Sequence, residues 1–410
     1  MLLIAPYYLP SSYGGAVQLY HQLLTRLQSF DALVLTQRQD RGDVAALESF
    51  DRRCGQEFGY EMRRLKRFEF KYSRSCSPLL CLRDAARFFI HTAREWRATL
   101  NEVRPDLIVC GATYIAGWLM NRTPGRTPLI NYLHGEELQA ASESRFLRPW
   151  LSRQQMQSIR GALMNIAVSR HTAGQAIKLA GVPADRVAVL PNFVDTERFK
   201  PPRNRDALRA QLGWQGKRVI LSLARLTARK GIDQAIRAIA ELRRHDQLPP
   251  EWLYVIAGTG EQERNLKELV GRLELNDCTR FVGLLGDELR ADYYGAADIF
   301  LQPNRNISGD TEGFGIVFIE AAACGTPVIG GVAGGTADAI RDGLTGFRVD
   351  GDDVTSIASA IGAMVHDAAL RSTMGRAGTE IVQREFRVEP AVRKFETLLL
   401  TVLEQHAAPT

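Results

Sequence analysis

The sequence of 410 residues lacks most of the features that mark disulfide-rich, metal-binding or membrane-spanning proteins. Its six cysteines are scattered and form no C-x-x-C pair, so we expect reduced thiols that pack as small apolar side chains. Histidine and acidic residues do not cluster at metal-ligand spacing, and no metal site is predicted. No apolar run approaches the roughly 18 residues that a membrane-spanning helix needs. These absences predict a soluble globular protein that works without a metal cofactor.

Secretory signals and nucleic-acid motifs are missing as well. The opening apolar run Leu2–Ala5 ends at Pro6 and has no basic lead-in, unlike a secretory signal. The formal net charge is +6, but no recognition motif for nucleic acid accompanies it. We therefore expect a cytoplasmic protein that does not bind nucleic acid.

The excess positive charge is concentrated between residues 52 and 104. In its densest part the cations alternate with apolar and aromatic side chains, a mixture that suits an anionic lipid surface. The alternative is a solvated basic face. We predict a patch for an acceptor, or for peripheral contact with the inner face of the plasma membrane. Its residues are Arg63, Arg64, Lys66, Arg67, Lys71 and Arg74.

Short apolar runs alternate with stretches of helical periodicity, which is typical of an α/β protein. The chain opens with a strand at Leu2–Ala5, a loop containing Gly14 and Gly15, and a helix over Val17–Leu27. Prolines and charged residues interrupt the pattern before it starts again. We predict two Rossmann-like, doubly wound domains that face a central cleft. They comprise residues 1–198 and 217–388, joined by a linker at 199–216.

Cations follow the first predicted strand of the second domain. Arg225 and Lys230 lie between the strand Val219–Leu223 and the next helix, where both could bind an anion at the strand end. Arg229 is a third cation, and its side chain could point elsewhere. An exposed salt bridge in the loop is the alternative interpretation.

Two other motifs do not point to chemistry. Gly258-Thr259-Gly260 begins like a dinucleotide fingerprint, but Glu263 stands where the third glycine belongs, which disfavours an NAD-dependent oxidoreductase. The acidic run Asp350–Asp353 is predicted to form a turn and a helix cap.

The most informative stretch contains two carboxylates, Glu312 and Glu320, with seven residues between them. Glu312 sits in a glycine-rich loop, and Glu320 sits in an apolar helix that begins near Gly315. Free N–H groups at such a helix start can bind an anion. Solvated loop and helix carboxylates are the alternative. With the two cations, carboxylates that accept hydrogen bonds from hydroxyls fit a nucleotide diphosphate sugar.

The segment from Glu312 to Glu320 resembles the E-x7-E signature of the retaining glycosyltransferases of family 4, which have the GT-B fold. Ala224–Gly231 resembles the family's diphosphate-binding segment. Phe281–Gly283 resembles the strand end that meets the nucleotide base. Gly14-Gly15 and His134-Gly135 resemble loops of the acceptor domain.

The resemblance extends to the ends of the domains. Pro191–Asp195 resembles the interdomain stretch, although Phe193 stands where the family commonly has glycine. The family implies that residues 1–198 bind the acceptor and that 217–388 bind the nucleotide sugar. It also implies that a helix in residues 389–410 packs back on the first domain.

The resemblance assigns a role to each site residue. Glu312 and His134 would be the catalytic residues at the donor sugar, and Glu320 and Val282 would contact the nucleoside. The diphosphate would be bound by Arg225, Lys230, Gly15, Phe314, Gly315 and Ile316.

The implied activity is transfer of a hexosyl unit, with retention and without a metal, from UDP- or GDP-hexose. GDP-mannose is preferred as donor. The acceptor would be a lipid-linked sugar, polysaccharide or glycolipid at the cytoplasmic membrane face. The alternatives are transfer to a small soluble acceptor and a non-catalytic protein that binds nucleotide sugars.

Overall fold

The computed structural model describes eight stretches of the chain, and the chain divides into two compact units by its internal contacts. Unit 1 contains the residues up to Leu190 together with those from Glu389 on, and unit 2 spans Pro191–Val388. The described residues are 1–5, 7–10, 14–37, 44–65, 90, 94–111, 127–138 and 148–407.

Unit 1 is built on a seven-stranded parallel sheet with the order β3-β2-β1-β4-β5-β6-β7. The order reverses between β1 and β4, as in a doubly wound fold. The central strands are almost entirely buried, which explains their continuous apolar sequence. The strands are β1 Leu2–Ile4, β2 Ala32–Gln37, β3 Tyr60–Leu65, β4 Ile108–Cys110, β5 Leu129–Leu133, β6 Met164–Ala167 and β7 Val187–Val189.

Helices cover this sheet, and several begin or end at clear caps. Ser169 accepts a hydrogen bond from the Thr172 amide at the start of one helix, and Gly181 ends it in the left-handed conformation. Residues 94–103 are also helical. The α-helices with defined bounds among the described residues of unit 1 are Gly15–Leu24, Val44–Gln56, Arg148–Gly161, Arg170–Ala180 (the helix capped by Ser169) and Val388–Ala407.

The last helix is anchored within unit 1 by a buried carboxylate. Oε1 of Glu396 accepts hydrogen bonds from the backbone amides of Gln28 and Ser29, both at 2.7 Å. Phe395 also packs against Tyr132, with ring centroids 6.1 Å apart. These contacts explain why the chain from Glu389 on groups with unit 1.

Unit 2 repeats the plan with a six-stranded parallel sheet of order β10-β9-β8-β11-β12-β13. Its order reverses between β8 and β11. The fold class predicted from the sequence, two Rossmann-like doubly wound units, is confirmed. The strands are β8 Arg218–Leu223, β9 Trp252–Ala257, β10 Thr279–Gly283, β11 Ile299–Gln302, β12 Val328–Gly331 and β13 Gly346–Val349.

Eight helices are found in this part of the chain, which the structure describes in full. Asp353 caps one of them through its hydrogen bond with the Thr355 amide, so the prediction of a turn and helix cap there is confirmed. The helices are Arg205–Gln211, Ile232–Arg244, Glu263–Arg272, Arg290–Ala296, Ile316–Ala323, Thr336–Ala339, Val354–His366 and Ala368–Glu385.

The predicted linker at residues 199–216 is part of unit 2. It contains the helix Arg205–Gln211, whose Arg205 and Arg209 form ion pairs with buried Asp298 at 3.1 and 3.0 Å. Burial alone would raise the pKa of Asp298, but the Val219 amide and these arginines lower it. An ionised carboxylate therefore holds the segment against the sheet.

The predicted basic patch falls partly on an edge strand that the sequence analysis missed. Arg64, in β3, donates to both carboxylate oxygens of Asp51 and to the Leu9 carbonyl, and its side chain is only 7% exposed. Its place in a membrane patch is therefore wrong. Arg63 pairs with Glu102 at 2.5 Å. The other predicted members, Lys66, Arg67, Lys71 and Arg74, lie outside the described residues.

The cysteines among the described residues are buried, as expected of thiols that pack as small apolar side chains. Cys54, Cys110, Cys278 and Cys324 are free and buried. None of the helices in the described stretches combines the length and the hydropathy that a membrane crossing requires.

Candidate functional site

The reversal of strand order in unit 2 brings two loops together at the carboxyl edge of its sheet. One loop, residues 224–231, follows β8, and the other, residues 303–315, follows β11. In doubly wound sheets ligands bind at this edge, at the point where the strand order reverses. All of Arg225, Lys230 and Glu312 lie on these two loops.

Glycines allow the loops to pack this closely. Gly231 has a φ of +69°, and a Cβ atom there would lie 2.0 Å from the Pro303 carbonyl oxygen. A Cβ on Gly334, whose φ is +83°, would lie 2.1 Å from the Glu312 carbonyl oxygen. That carbonyl also accepts a hydrogen bond from the Gly335 amide at 2.7 Å. The backbone of Glu312 is therefore fixed between neighbouring loops.

The two glycines of the incomplete dinucleotide motif have a packing role. A Cβ on Gly258 would lie 1.8 Å from the Ala224 carbonyl oxygen, and one on Gly260 would lie 2.4 Å from that of Leu226. They let the loop after β9 press on the loop after β8. This close contact accounts for the motif without a dinucleotide.

Glu312 is a buried carboxylate with cations on one oxygen. Its Oε2 lies 2.5 Å from Lys230 Nζ and 3.0 Å from a guanidinium nitrogen of Arg229. Gln302 donates to the same oxygen at 3.3 Å. Burial alone would raise the pKa of Glu312, but Lys230 and Arg229 outweigh it and lower the pKa to about 2. Glu312 is therefore ionised at neutral pH.

The cations of the loop after β8 form a cluster of like charge. Burial lowers the pKa of Lys230, the Glu312 carboxylate opposes that effect, and the charges of Arg229 and Arg225 add to the lowering. Arg225 is exposed, whereas Lys230 is buried. Because an ammonium group has three N–H donors, Lys230 can keep its bond to Glu312 and still donate to a phosphate.

The direction of the Arg229 side chain, which the sequence leaves open, is towards the site. Besides Glu312, Arg229 contacts Asp310 of the second loop at 3.3 Å. No sequence motif predicts this, because the direction follows from the short 3-10 turn Ala228–Lys230. Arg229 is therefore an additional residue of the site.

The helix Ile316–Ala323 begins beside this cluster. Gly315 precedes it with a φ of +86°, and a Cβ there would lie 2.5 Å from the Phe318 ring. Phe314 is buried against Phe386, with ring centroids 5.9 Å apart, so only its backbone could contact a ligand. The first amides of the helix, from Ile316 on, lack partners within it and carry its positive dipole end.

Glu320 lies on this helix and is paired as well. Its Oε2 accepts a hydrogen bond from the Tyr294 hydroxyl at 2.8 Å and contacts the Arg290 guanidinium. Burial raises the pKa of Tyr294 well above its usual value, and Glu320 adds to that. Arg290 and Tyr294 were not expected from the sequence, because no motif marks them.

The segment that follows β10 joins this group through Asp287. Asp287 contacts Arg290 at 3.3 Å and Arg198 at 2.5 Å. Both guanidinium groups lie over the Phe199 ring, at 5.7 and 4.8 Å from its centroid. Val282, at the end of β10, is 36% exposed beside an irregularity in strand register. It is therefore accessible to a ligand.

The remaining predicted site residues belong to unit 1. His134 follows β5, and its Nε2 lies 2.7 Å from the Tyr20 hydroxyl. Burial lowers the pKa of His134 to about 4, so the imidazole is neutral at pH 7. Gly15 starts the helix after β1. Both residues lie at the carboxyl edge of the first sheet, where the strand order also reverses between β1 and β4.

The site in unit 2 can bind an anion and hydroxyl groups. Cations and helix N–H groups suit a diphosphate, and two fixed carboxylates suit sugar hydroxyls. The described residues contain no cluster of three or more His, Cys, Asp and Glu side chains that could hold a metal ion.

Two family models match adjacent halves of the chain. The model described as "Glycosyltransferase Family 4" matches residues 13–198. The model described as "Glycosyl transferases group 1" matches residues 204–381, which include the whole site of unit 2.

Curated relatives share about a third of their matched residues with this chain. A GDP-mannose-dependent α-(1-6)-phosphatidylinositol monomannoside mannosyltransferase of Mycolicibacterium smegmatis is 38% identical over 215 residues, covering 52% of this chain and 55% of the relative. A D-inositol 3-phosphate glycosyltransferase of Nocardia farcinica is 34% identical over 271 residues, covering 63% of this chain and 58% of the relative. The chain thus spans less than two thirds of the length of the curated relatives it matches.

Solved structures agree in fold. The crystal structure of Anabaena HepE in complex with UDP-glucose has a TM-score of 0.74 and is 22% identical, covering 98% of this chain and 99% of that one. At this identity the likeness supports the fold alone.

Proposed function

The chain belongs to glycosyltransferase family 4, and from this premise we propose that it transfers a hexosyl unit from a nucleotide-diphosphate sugar to a glycolipid acceptor. The observation that carries the proposal is the Lys230–Glu312 ion pair at the reversal of strand order in unit 2. It holds a cation and a carboxylate beside the start of the helix Ile316–Ala323. A nucleotide-diphosphate sugar needs both kinds of group, a cation for its diphosphate and a carboxylate for the hydroxyls of its sugar.

In the proposed complex, cations and backbone N–H groups bind the diphosphate, and Glu312 lies at the sugar. Lys230, Arg225, Gly15 and the backbone of 314–316 bind the diphosphate and offset the charge that builds up as it leaves. Glu312, ionised and fixed, lies at the sugar and stabilises positive charge at the anomeric carbon. Since its pKa is about 2, it acts by charge and not as an acid.

His134 is proposed to contact the donor sugar as a neutral hydrogen-bonding group. Its low pKa makes it unsuited to carry a proton at pH 7. We further propose that transfer retains the anomeric configuration, with the leaving phosphate taking the proton of the acceptor hydroxyl. No side chain then has to act as a base.

GDP-mannose is the proposed donor. The relatives named for GDP-mannose include those of Mycolicibacterium smegmatis and Corynebacterium glutamicum, at 38% and 35% identity. The sequence of the Glu312 loop points to the same donor by resemblance, and UDP-hexoses are the alternative. We propose that no metal is needed, because Lys230, Arg225 and the helix end already supply positive charge for the diphosphate.

A glycolipid at the cytoplasmic membrane face is the proposed acceptor. Support comes from the phosphatidylinositol mannoside in the names of the relatives. The second candidate is a small soluble acceptor, which is favoured by the relatives named D-inositol 3-phosphate glycosyltransferase. The two candidate functions share the donor site and differ only in the acceptor, so a comparison of acceptors distinguishes them.

The test starts with a thermal-shift screen of GDP-mannose, GDP-glucose, UDP-glucose and UDP-galactose, with and without EDTA. A ligand at 100 times its Kd should stabilise the fold by about 2.7 kcal/mol. We expect GDP-mannose to give the largest shift, and EDTA to leave it unchanged. No shift with any nucleotide sugar would contradict the proposal.

The transfer itself is then measured with the selected donor, labelled in its sugar. Phosphatidylinositol mannoside in vesicles and free inositol phosphate serve as the two acceptors. Label in the lipid fraction supports the glycolipid acceptor, and label only in inositol phosphate supports the second candidate. Binding without hydrolysis or transfer to either acceptor would favour a non-catalytic nucleotide-sugar-binding protein.

A further inference from the structure

We propose that Arg290 and Tyr294 are positioning residues that lock one oxygen of Glu320 and thereby make the site select ribonucleotides over deoxyribonucleotides. This inference rests on the proposed function, in which Glu320 contacts the nucleoside. It concerns two residues of the helix Arg290–Ala296 that would not themselves touch the sugar being transferred.

The two oxygens of the Glu320 carboxylate differ in their hydrogen-bond partners. Its Oε2 accepts from the Tyr294 hydroxyl at 2.8 Å and from the Arg290 guanidinium. Among the described residues no side chain or backbone group donates to Oε1. Because a carboxylate oxygen accepts about two hydrogen bonds, Oε2 is saturated and Oε1 retains its full capacity.

The side chains of Glu320 and Arg290 are held rigidly by their surroundings. The side chain of Glu320 is 5% exposed and that of Arg290 is 16% exposed, so neither can rotate freely into solvent. Asp287 contacts the other terminal nitrogen of the Arg290 guanidinium at 3.3 Å. The Phe199 ring covers one face of that guanidinium, 5.7 Å away. The Arg290 guanidinium, and with it the Glu320 carboxylate, is therefore held in place by burial, Asp287 and Phe199.

The charge of Arg290 supports the same geometry. Burial alone would lower the pKa of Arg290, but Glu320, Tyr294 and Asp287 raise it above its usual value. Arg290 therefore stays charged and holds Oε2 of Glu320 by a charge-assisted hydrogen bond, which is stronger than one between neutral groups.

The consequence concerns the ribose. A ribose offers two adjacent hydroxyl donors, and Oε1 can accept both. A 2′-deoxyribose offers only one of the two donors and would leave one acceptor position of this largely buried carboxylate unfilled, which costs more than a missing contact on an open surface. Because Arg290 and Tyr294 occupy Oε2, the oxygen left to accept hydrogen bonds from the two ribose hydroxyls is Oε1 of Glu320.

The test compares Kd values of GDP with 2′-deoxy-GDP, and of UDP with 2′-deoxy-UDP, by calorimetry on the full chain. For the nucleotide that binds, we expect the wild type to prefer the ribose form by about 10- to 100-fold. In Tyr294→Phe and Arg290→Met the preference should fall to about threefold or less. Arg264→Met, on an exposed helix face, is the matched control and should keep it.

The outcomes separate this inference from the function on which it rests. If the wild type binds neither GDP nor UDP, both the proposed function and the proposed role of Arg290 and Tyr294 are wrong. If it binds them but Tyr294→Phe and Arg290→Met weaken binding of the ribose and deoxyribose forms equally, only the proposed role of Arg290 and Tyr294 is wrong. Tyr294→Phe removes one hydroxyl with no change of ring, so it serves if Arg290→Met does not fold.

Discussion

Lys230 Nζ and Glu312 Oε2 lie 2.5 Å apart, so the loop after β8 and the loop after β11 are joined by a buried ion pair. Breaking such a pair by removing one partner typically costs about 3–5 kcal/mol, because the other charge is left buried without compensation. The pair therefore couples the shape of the site to the stability of unit 2. Residues proposed to bind the donor therefore also hold the two loops together.

Lys230→Ala should weaken nucleotide-diphosphate binding about 10- to 100-fold, since a hydrogen bond to a charged group contributes about 1.5–3 kcal/mol. It should also lower the melting temperature, because Glu312 loses its nearest cation. Calorimetric titration and thermal denaturation measure the two effects. Lys200→Ala, which disrupts only an exposed pair with Glu197, is the control and should change neither. Unchanged affinity in Lys230→Ala would remove its role at the diphosphate.

Arg229→Met should change how stability depends on acid pH. Glu312 has a folded pKa of about 2 and an ordinary value of 4.5, so its ion pairs stabilise the fold above pH 4.5. That stabilisation is lost as the pH falls from 4.5 towards 2. Without Arg229 the folded pKa lies closer to 4.5, and the contribution shrinks by about 1–2 kcal/mol.

Urea midpoints between pH 6 and pH 3 measure this change. Arg229→Lys keeps the charge and should retain most of the wild-type pH dependence. If Arg229→Met shows the same dependence as the wild type, Arg229 does not hold the Glu312 charge.

Mild acid should destabilise unit 1 through two half-buried histidines, His21 and His134. Burial lowers the pKa of His134 to about 4, and burial together with Arg26 and Arg53 lowers that of His21 to about 4. Both histidines bind protons near pH 6.5 once the chain unfolds. Stability is therefore fully present above pH 6.5 and is lost as the pH falls towards 4.

The expected loss between pH 7.5 and pH 5 is about 1–2 kcal/mol for each histidine. Thermal denaturation at the two values measures it. His21→Gln and His134→Gln should each reduce the pH dependence, whereas His245→Gln, at an exposed position, should leave it intact. A full pH dependence in both variants would show that neither histidine is held neutral by the fold.

Adjacent arginines in β3 should differ sharply in their effect on stability. Arg64 is buried and binds Asp51 through two nitrogens, whereas the side chain of Arg63 is 32% exposed and that of its partner Glu102 is 65% exposed. Arg64→Met should cost about 3–5 kcal/mol and Arg63→Met less than about 1 kcal/mol. Denaturant unfolding monitored by circular dichroism compares them. Equal costs would contradict the structural role of Arg64.

The sequence predicted most strands because buried parallel strands are continuous apolar runs. The predicted strands Leu2–Ala5 and Val219–Leu223 each differ by one residue at an end from β1 and β8. β3 was missed because Tyr60–Leu65 contains Glu61, Arg63 and Arg64 and lies at the sheet edge, where charged side chains are common. Periodicity gives no signal there.

The positions of Arg225, Lys230 and Glu312 were predictable because the carboxyl ends of neighbouring parallel strands meet at one edge. Their partners were not. Tyr294 and Glu320 are 26 residues apart, and no local pattern reports such a contact. The helix Arg205–Gln211 was likewise taken for a linker, because its anchor Asp298 lies about 90 residues further along the chain.

Hydrogen–deuterium exchange on the full chain with saturating GDP-mannose tests the central claim most directly, which is that the loops after β8 and β11 bind the donor. The account predicts slower exchange in peptides covering 224–231 and 303–320, and a smaller effect in Lys230→Ala at the same ligand concentration, because its lower affinity leaves more of the protein without ligand. Exchange that is unchanged in both peptides, or slowed only elsewhere in unit 2, would contradict it.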